Sequence, residues 1–554
     1  MRMNRLPLIL SFGLLTACSQ QHNVTVGVES GMAVSAQHLA ADTGASILRQ
    51  GGNAVDAAVA MGYALSVTHP SCGNIDGGGF MIIRLANGKT RVIDFREKAP
   101  LLATRNNIYL HPQNLHEVYS DSATAGTVAG LNYAENHYGT LSVSKLIQPA
   151  IHYAQDGYKL TAGDVVFLNE GKKHFLKYAQ LRNIYLNHGN TLSAGSRLVQ
   201  PELAQTLKQI ATSKDYAFYH GTIAKHLTQA MRQEHAPLNQ TDLAQYTIQE
   251  VKPLHCRYRG YDIYTTPAPS YGGVELCEIM NILSKFPIAN YKPFSAQAMA
   301  INIDAMNAAS ADAQKYIGDP AFIKIPYNYL LSQQHAAQIA NKIKQGKAFH
   351  MTHKPQYESL NTTAISVVDK QGNAVSMIYT LNLFFGGGTT PDHLGFFLNN
   401  ENIDFAMSQT GTPLLPSQSP NAFAPGKRPA SGMSPTIITK NGQLFLVVGT
   451  PGGPTIPTQL ALMLENRIDH HMSLAQSINL GRYHSGSNQS YINIERNGVP
   501  QDSLTKLRQL GFPIHFGSNY KYAYWGGVTA IEHSNGQLKG VMDKRRPGGK
   551  VAAG

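Results

Sequence analysis

A Thr-Thr pair, Thr362-Thr363, follows Asn361 at the head of a strand-like run that continues Ala364-Ile365-Ser366-Val367-Val368-Asp369. A cut between Asn361 and Thr362 would give one residue both a hydroxyl nucleophile and an α-amine to act as its base. With a reference pKa of about 8, a slightly desolvated α-amine is largely neutral at working pH, and no histidine base is then required. The residues that follow give this reading a geometry. Asp369-Lys370-Gln371-Gly372-Asn373 reads as a turn between strands at 362–368 and 374–380, with Gly372 at the left-handed position of a three-residue loop. Pairing centred on Gln371 sets Thr380 opposite Thr362, so a second hydroxyl lies beside the first. An ordinary Thr-rich hairpin has the same composition, because Thr is a good strand residue.

A second hairpin is written in Asn441-Gly442, a type I′ turn signal between strands at 434–440 and 443–449. Pairing Lys440 with Gln443 and counting outward sets Ser431 opposite Gly452. The helix opened by Pro201 carries Leu203, Leu207 and Ile210 on one face, and Leu146, Ile147, Ala150, Ile151 and Ala154 form another apolar stripe. Both read as packing elements. The stretch 406–426, rich in Pro, Gly and Ser, reads as a long loop of the kind that forms lids.

Composition excludes several classes. With 554 residues, 43% of them hydrophobic and 14% charged, the chain buries a large core. Its net charge of +12 comes from scattered Lys and Arg without aromatic interleaving, which argues against a nucleic-acid partner. The 22 histidines form no metal-ligand spacing, and no phosphate-cradling glycine loop occurs, so neither a metal nor a cofactor is expected. Arg2 and Arg5 precede an apolar run at 6–15 that is too short to span a membrane and ends in Leu15-Thr16-Ala17-Cys18. Residues 1–17 resemble a bacterial lipoprotein signal, with Cys18 the lipidated residue, Ser19 matching outer-membrane sorting, and 18–30 a polar tether. A plain signal peptide is the alternative, and either one exports the protein. Of the remaining cysteines, Cys72, Cys256 and Cys277, the last two can form a disulfide, which spacing alone leaves open.

From about Gly31 onward the chain resembles the γ-glutamyltranspeptidases (glutathione hydrolases) of the N-terminal-nucleophile hydrolase superfamily. The matching blocks are 51–58, Thr68-His69-Pro70, Gly77-Gly78-Gly79-Phe80, Asp94-Phe95-Arg96-Glu97, Thr380-Leu381-Asn382, Asn399-Asn400-Glu401, Asp404-Phe405, Lys427-Arg428-Pro429, Met433-Ser434-Pro435-Thr436 and Pro451-Gly452-Gly453, in that order around Thr362. The resemblance implies an αββα sandwich, two stacked sheets between helical layers. It also implies self-cleavage into a large subunit, 31–361, and a small one, 362–554, that remain together as a heterodimer. Thr362 would then attack the γ-glutamyl amide of glutathione or a related compound, with Thr380 beside it. The N–H groups of Gly452 and Gly453 would hold the oxyanion, and the acyl group would pass to water, an amino acid or a dipeptide. Arg96, helped by Ser431, would hold the substrate α-carboxylate, and Asn382, Glu401 and Asp404 its α-ammonium. The implied setting is the periplasm, with a lipid anchor on the outer membrane.

Four positions depart from the family pattern: Ala364 where His is usual, Gly432 for the second Ser of a Ser-Ser pair, Asp76 before the glycine run, and Pro454-Thr455 for Ser-Arg. Two alternatives remain beside the main reading. One is an acylase for a glutaryl or poly-γ-glutamyl amide; the other is a non-catalytic surface lipoprotein that does not mature.

Overall fold

In the strands Thr363–Asp369 and Ala374–Thr380 every residue is buried. Ala364, Val368, Ala374 and Ile378 belong to one apolar core, while Ile365, Val367, Val375, Met377 and Tyr379 belong to another. Strand side chains alternate between faces, so this pair is covered on both sides. The computed structural model describes residues 24–28, 31–346, 361–408, 410–486, 491–516 and 525–554.

The pair lies at the centre of an antiparallel sheet ordered Lys550–Ala553, Gly31–Ser35, Thr363–Asp369, Ala374–Thr380, Gly78–Arg84, Thr90–Asp94, Gln249–Val251. A second antiparallel sheet runs Val24–Val28, Gln537–Met542, Thr529–Ser534, Gln443–Gly449, Thr436–Lys440, Tyr261–Thr265, Leu254–Tyr258. The two face each other. Ser366 Oγ donates to the Thr529 carbonyl at 3.0 Å and Ser376 Oγ to the Val448 carbonyl at 2.9 Å, within a shared core that includes Ala364, Ile378, Val447 and Ile531. Helices cover the outer sides. Ala54–Thr68, buried along its whole length, packs on the first sheet, where the Tyr379 hydroxyl donates to the Gly62 carbonyl at 2.9 Å. Tyr271–Leu283 packs on the second, and a Cys256–Cys277 disulfide ties it to the strand Leu254–Tyr258, which closes the question the sequence left open.

Local chemistry explains how the nucleophile hairpin is anchored. Asp369 Oδ1 accepts the N–H groups of Gln371 and Asn373, both at 2.9 Å, and so shapes the turn. Its Oδ2 accepts Ala54 N–H at 2.9 Å and caps the helix that Asn53 and Asp56 already begin with a capping box. The block 51–58 is thus a helix start fastened to the hairpin.

The register of this hairpin is the expected one, from Thr363↔Tyr379 to Val368↔Ala374. The second hairpin has its type I′ turn, Asn441 at φ 52° and Gly442 at φ 77°, and pairs Lys440 with Gln443. A β-bulge between Ile438 and Thr439 then shifts the register by one, and the ladder ends at Thr436↔Val448. The pairing of Ser431 with Gly452 is therefore wrong: an extra residue on the Gln443–Gly449 side breaks the count, and Ser431 bridges Ser270 in parallel instead. The helix Pro201–Ser213 buries Leu203, Leu207 and Ile210 as expected, whereas the other stripe is divided between Val143–Leu146 and Gln148–Asp156. The tether reading of 18–30 also needs correction, because Val24–Val28 pairs antiparallel with Gln537–Met542 as an edge strand. Residues 1–17 and Cys18 lie outside the described residues. Among the described residues, no helix is long and apolar enough to cross a membrane.

Candidate active site

Two hydroxyls converge on one carbonyl. Thr362 Oγ1 donates to the main-chain oxygen of Asn361 at 2.6 Å, and Thr380 Oγ1 donates to the same oxygen at 2.8 Å. Both threonines are buried and line a cavity of about 570 Å³. The ladder ends at Thr363↔Tyr379, so the strand pairing leaves Thr362 and Thr380 side by side at its end. Thr380 Oγ1 also accepts the Asn382 N–H at 2.9 Å, which fixes the direction of its own proton. On the other side of Asn361, its Nδ2 donates to the Ser71 carbonyl at 2.7 Å and its Oδ1 accepts from Cys72 Sγ at 2.7 Å. Arg546 Nη2 donates to the Thr362 carbonyl at 3.3 Å. An N-to-O acyl shift needs a hydroxyl on the residue after the scissile bond and a donor on the carbonyl oxygen where charge develops, and both are present.

Behind one wall of the cavity lies a knot of charge. Arg96 is fully buried; its Nη1 bonds Glu97 at 2.8 Å and Glu401 at 2.6 Å, its Nη2 bonds Asp404 at 2.7 Å, and its Nε donates to the Pro429 carbonyl at 3.2 Å. Asn382 Nδ2 donates to Asp404 Oδ1 at 2.8 Å. Of Arg96, Asn382, Glu401 and Asp404, it is Asp404 that lines the cavity, with the others behind it. The Arg96 fork, expected to hold the substrate α-carboxylate, is filled by the protein's own carboxylates in the uncut chain. Burial pushes Glu97 up to about 7 even beside Arg96, and burial likewise raises Glu401 and Asp404. Burial also opposes the charge on Arg96, but Glu401, Glu97 and Asp404 together hold its pKa above the usual range. One guanidinium faces three carboxylates in so dry a place, so burial pushes the carboxylates toward their neutral forms.

Asp76, which the sequence presents only as a departure, is joined to this cluster through Asn399. Its Oδ2 accepts the Asn399 N–H at 3.1 Å, its carbonyl accepts Asn399 Nδ2 at 2.7 Å, and Asn399 Oδ1 in turn accepts the Glu401 N–H at 3.1 Å. Burial raises the Asp76 pKa well above the usual carboxylate range. A Cβ on Gly77, next to it, would meet the Thr380 carbonyl at 1.9 Å, so the glycine run lets that strand approach the nucleophile hairpin. The one signal in the sequence for Asp76 was its place against these glycines. Ala364 packs toward the second sheet, where a Cβ on Gly449 would lie 3.3 Å from its own, leaving little room for a larger residue.

Ser431, Gly432 and Gly453 line the cavity, and Ser431 Oγ accepts the Met433 N–H at 3.2 Å. Gly452, which does not line it, has φ +133° and Gly453 φ +56°, conformations that L side chains rarely adopt. They precede the helix Thr455–Ile468, whose Thr455 and Ile456 N–H groups turn back onto the Gly452 and Gly453 carbonyls, both at 3.1 Å. The diglycine thus stands at the positive end of a helix dipole. The loop 406–426 holds neither helix nor strand among its described residues; Ala406, Met407, Ser408, Thr410 and Leu414 wall the cavity, as a lid would. Lys427 Nζ anchors its base on the carbonyls of Pro420 at 2.7 Å and Ala422 at 2.8 Å.

Among the described residues one group has metal-ligand chemistry, Glu278, Asp312 and His335, which the sequence did not reveal because each comes from a different helix. His335 Nε2 already lies 3.0 Å from Glu278 Oε1 and 2.7 Å from Asp312 Oδ2, a hydrogen-bonded cluster outside the cavity lining.

Comparison with known proteins gives the geometry a context. A family model described as Gamma-glutamyltranspeptidase matches residues 40–553. A glutathione hydrolase proenzyme of Pseudomonas sp. (strain A14) is 43% identical over 88% of this chain and 87% of its own length. A protein of the same name from Escherichia coli (strain K12) is 39% identical over 94% and 91%. A cephalosporin acylase from Bacillus halodurans superposes with a TM-score of 0.85 over 99% of both chains at 24% identity, a likeness of fold.

Proposed function

The chain belongs to the γ-glutamyltranspeptidase family, and from that premise we infer how its own residues carry the activity. It is an autoprocessed γ-glutamyltransferase and glutathione hydrolase that cleaves the γ-glutamyl amide of glutathione and related compounds. The assignment of roles rests on one observation above all: the hydroxyls of Thr362 and Thr380 meet on the Asn361 carbonyl at a cavity that Asp404, Ser431 and Gly453 also line.

Maturation starts when Thr362 Oγ1 bonds to the Asn361 carbonyl carbon while the C–N bond breaks and the hydroxyl proton passes to the Thr362 nitrogen. Water then hydrolyses the resulting ester, leaving a carboxylate on Asn361 and restoring the hydroxyl. The products are a large subunit that ends at Asn361 and a small one, 362–554. In turnover the free Thr362 amine takes the hydroxyl proton as Oγ1 attacks the substrate γ-carbonyl, and the N–H groups of Gly452 and Gly453 receive the oxyanion. The amine leaves with that proton, and a γ-glutamyl ester remains. Water releases glutamate from it; an amino acid or dipeptide gives a new γ-glutamyl compound. No cofactor is needed.

The substrate α-ammonium suits Asp404, Asn382 and Glu401, because it brings a second positive charge to a cluster with one guanidinium and three carboxylates. Once Asp404 turns to the ammonium, one arm of the Arg96 fork opens to the substrate α-carboxylate, with Ser431 beside it. The stacked sheets and their covering helices are read as the αββα sandwich of N-terminal-nucleophile hydrolases. The leader 1–17 and Cys18 are read as an export and lipidation signal placing the enzyme in the periplasm on the outer membrane; lipid labelling of the protein beside Cys18→Ser tests that.

A glutaryl amide, or a poly-γ-glutamyl amide inside the chain, is disfavoured because it lacks the ammonium that would offset the excess of carboxylates around Arg96. Rates on γ-glutamyl- and glutaryl-p-nitroanilide decide the matter: a preference of roughly hundredfold for the former is expected, and equal rates would transfer the assignment to an acylase.

A further inference from the structure

Asn361 is gripped at both ends. Its main-chain oxygen takes the two threonine hydroxyls, and its carboxamide is read by a single turn, Ser71-Cys72. The Ser71 carbonyl accepts Asn361 Nδ2 at 2.7 Å and Cys72 Sγ–H donates to Asn361 Oδ1 at 2.7 Å. The turn that presents these groups is closed by its own hydrogen bonds. Cys72 N–H donates to the His69 carbonyl at 3.1 Å and Gly73 N–H to the same oxygen at 2.8 Å, just beyond the helix Ala54–Thr68. Asn74 then joins the turn to the catalytic hairpin, its Nδ2 donating to the Cys72 carbonyl at 3.0 Å and to the Thr380 carbonyl at 2.9 Å. Asn74 Oδ1 accepts Gly77 N–H and the Thr127 hydroxyl, both at 2.7 Å. The groups holding the side chain of Asn361 and the group holding its carbonyl oxygen are therefore tied into one hydrogen-bond network. Cys72 is fully buried and free of disulfide bonding; burial raises its thiol above the usual range against the opposing charge of Arg546, the cation that faces this turn and that would also face a carboxylate at 361.

We propose that Ser71-Cys72 is a carboxamide clamp, specific for Asn at position 361, that positions the scissile carbonyl for attack by Thr362. This rests on the self-cleavage reading above. Cys72 acts through Asn361 and is a positioning residue for maturation, with no part in the turnover of the mature enzyme. The clamp needs one donor and one acceptor in the order an amide supplies. An ionised Asp at 361 would turn a negative oxygen toward the Ser71 carbonyl, whereas a protonated Asp donates there and restores the pattern.

Self-cleavage of the full chain, followed by denaturing gel electrophoresis from the moment of refolding, reads the clamp directly. Cys72→Val, similar in size and without a donor, is expected to slow it by about tenfold or more, and Cys72→Ser to recover most of that loss. Equal rates for wild type, Cys72→Val and Cys72→Ser would overturn the proposal, as would a slowing that Ser does not relieve, since that marks a packing role. Asn361→Asp gives a second reading that does not depend on Cys72→Val folding. Its rate relative to wild type is expected to rise as pH falls through the titration of the new carboxyl, and a ratio flat with pH would count against the clamp. A wild-type chain that stays whole would sink the self-cleavage reading itself, which is a distinguishable failure.

Discussion

Replacing Thr380 by Val removes one oxygen and almost no volume, so its consequences follow from two hydrogen bonds. The Asn382 N–H, in a fully buried residue, loses its acceptor at 2.9 Å, and the Asn361 carbonyl loses a donor at 2.8 Å. Leaving a buried N–H unpaired costs about 1–3 kcal/mol of folding stability. Losing a preorganised donor to an oxyanion costs roughly 10²–10³ in rate, or about 2.7–4 kcal/mol in the barrier. The predicted phenotype is a folded chain that cleaves itself about a hundred to a thousand times more slowly than wild type, while Thr380→Ser, which keeps the oxygen, stays within about tenfold. A time course of fragment appearance at neutral pH measures the rate, and thermal melts in a Thr362→Ala background, where no chain is cut, separate it from stability. The reasoning is refuted if Thr380→Val matures at the rate of Thr380→Ser, because the carbonyl would then be polarised by something else.

Further outcomes follow from other parts of the molecule. Burial raises Glu97 from an ordinary 4.5 to about 7, so its contribution to stability is fully present below about 4.5 and is lost as pH rises through about 7; Glu97→Gln should flatten the fall in Tm across that window, and an unchanged slope would contradict the assignment. Removing the Cys256–Cys277 disulfide, whose partners lie 21 residues apart, by a double Ala substitution should cost about 3 kcal/mol in denaturant unfolding, and an unmoved midpoint would mean the crosslink is not formed. A Cβ at Gly432 would come within 2.5 Å of the Gly453 carbonyl; Gly432→Ser should therefore lower kcat/KM by about tenfold as the oxyanion donors shift, and improved catalysis would show that the diglycine tolerates displacement.

The proposed nucleophile and its partner were legible because a period of two and a strong turn leave one register available: the ladder runs to Thr363↔Tyr379 as counted, the hydroxyls of Thr362 and Thr380 meet just beyond it, and Gly372 is left-handed. The same counting failed on the second hairpin, where no residue type announces the bulge between Ile438 and Thr439. Val24–Val28 has the alternation of a strand, yet its partner Gln537–Met542 lies at the far end of the chain, out of reach of any local pattern. Motif resemblance named Arg96, Glu401 and Asp404 but could not say that they satisfy one another, because the contacts join residues 305 and 308 positions apart. Asp76 was visible only as a departure, and Cys72 only as a lone cysteine, because the asparagine that each bonds is brought near only by the folded chain.

The central claim is that Thr362 becomes an N-terminal nucleophile by the chain's own chemistry. Intact mass and N-terminal sequencing of the purified protein after incubation at neutral pH, beside Thr362→Ala, test it most directly. The account predicts a fragment from Thr362 to Gly554 that is absent in the variant. A wild-type chain that stays whole, or is cut at any other bond, would contradict it.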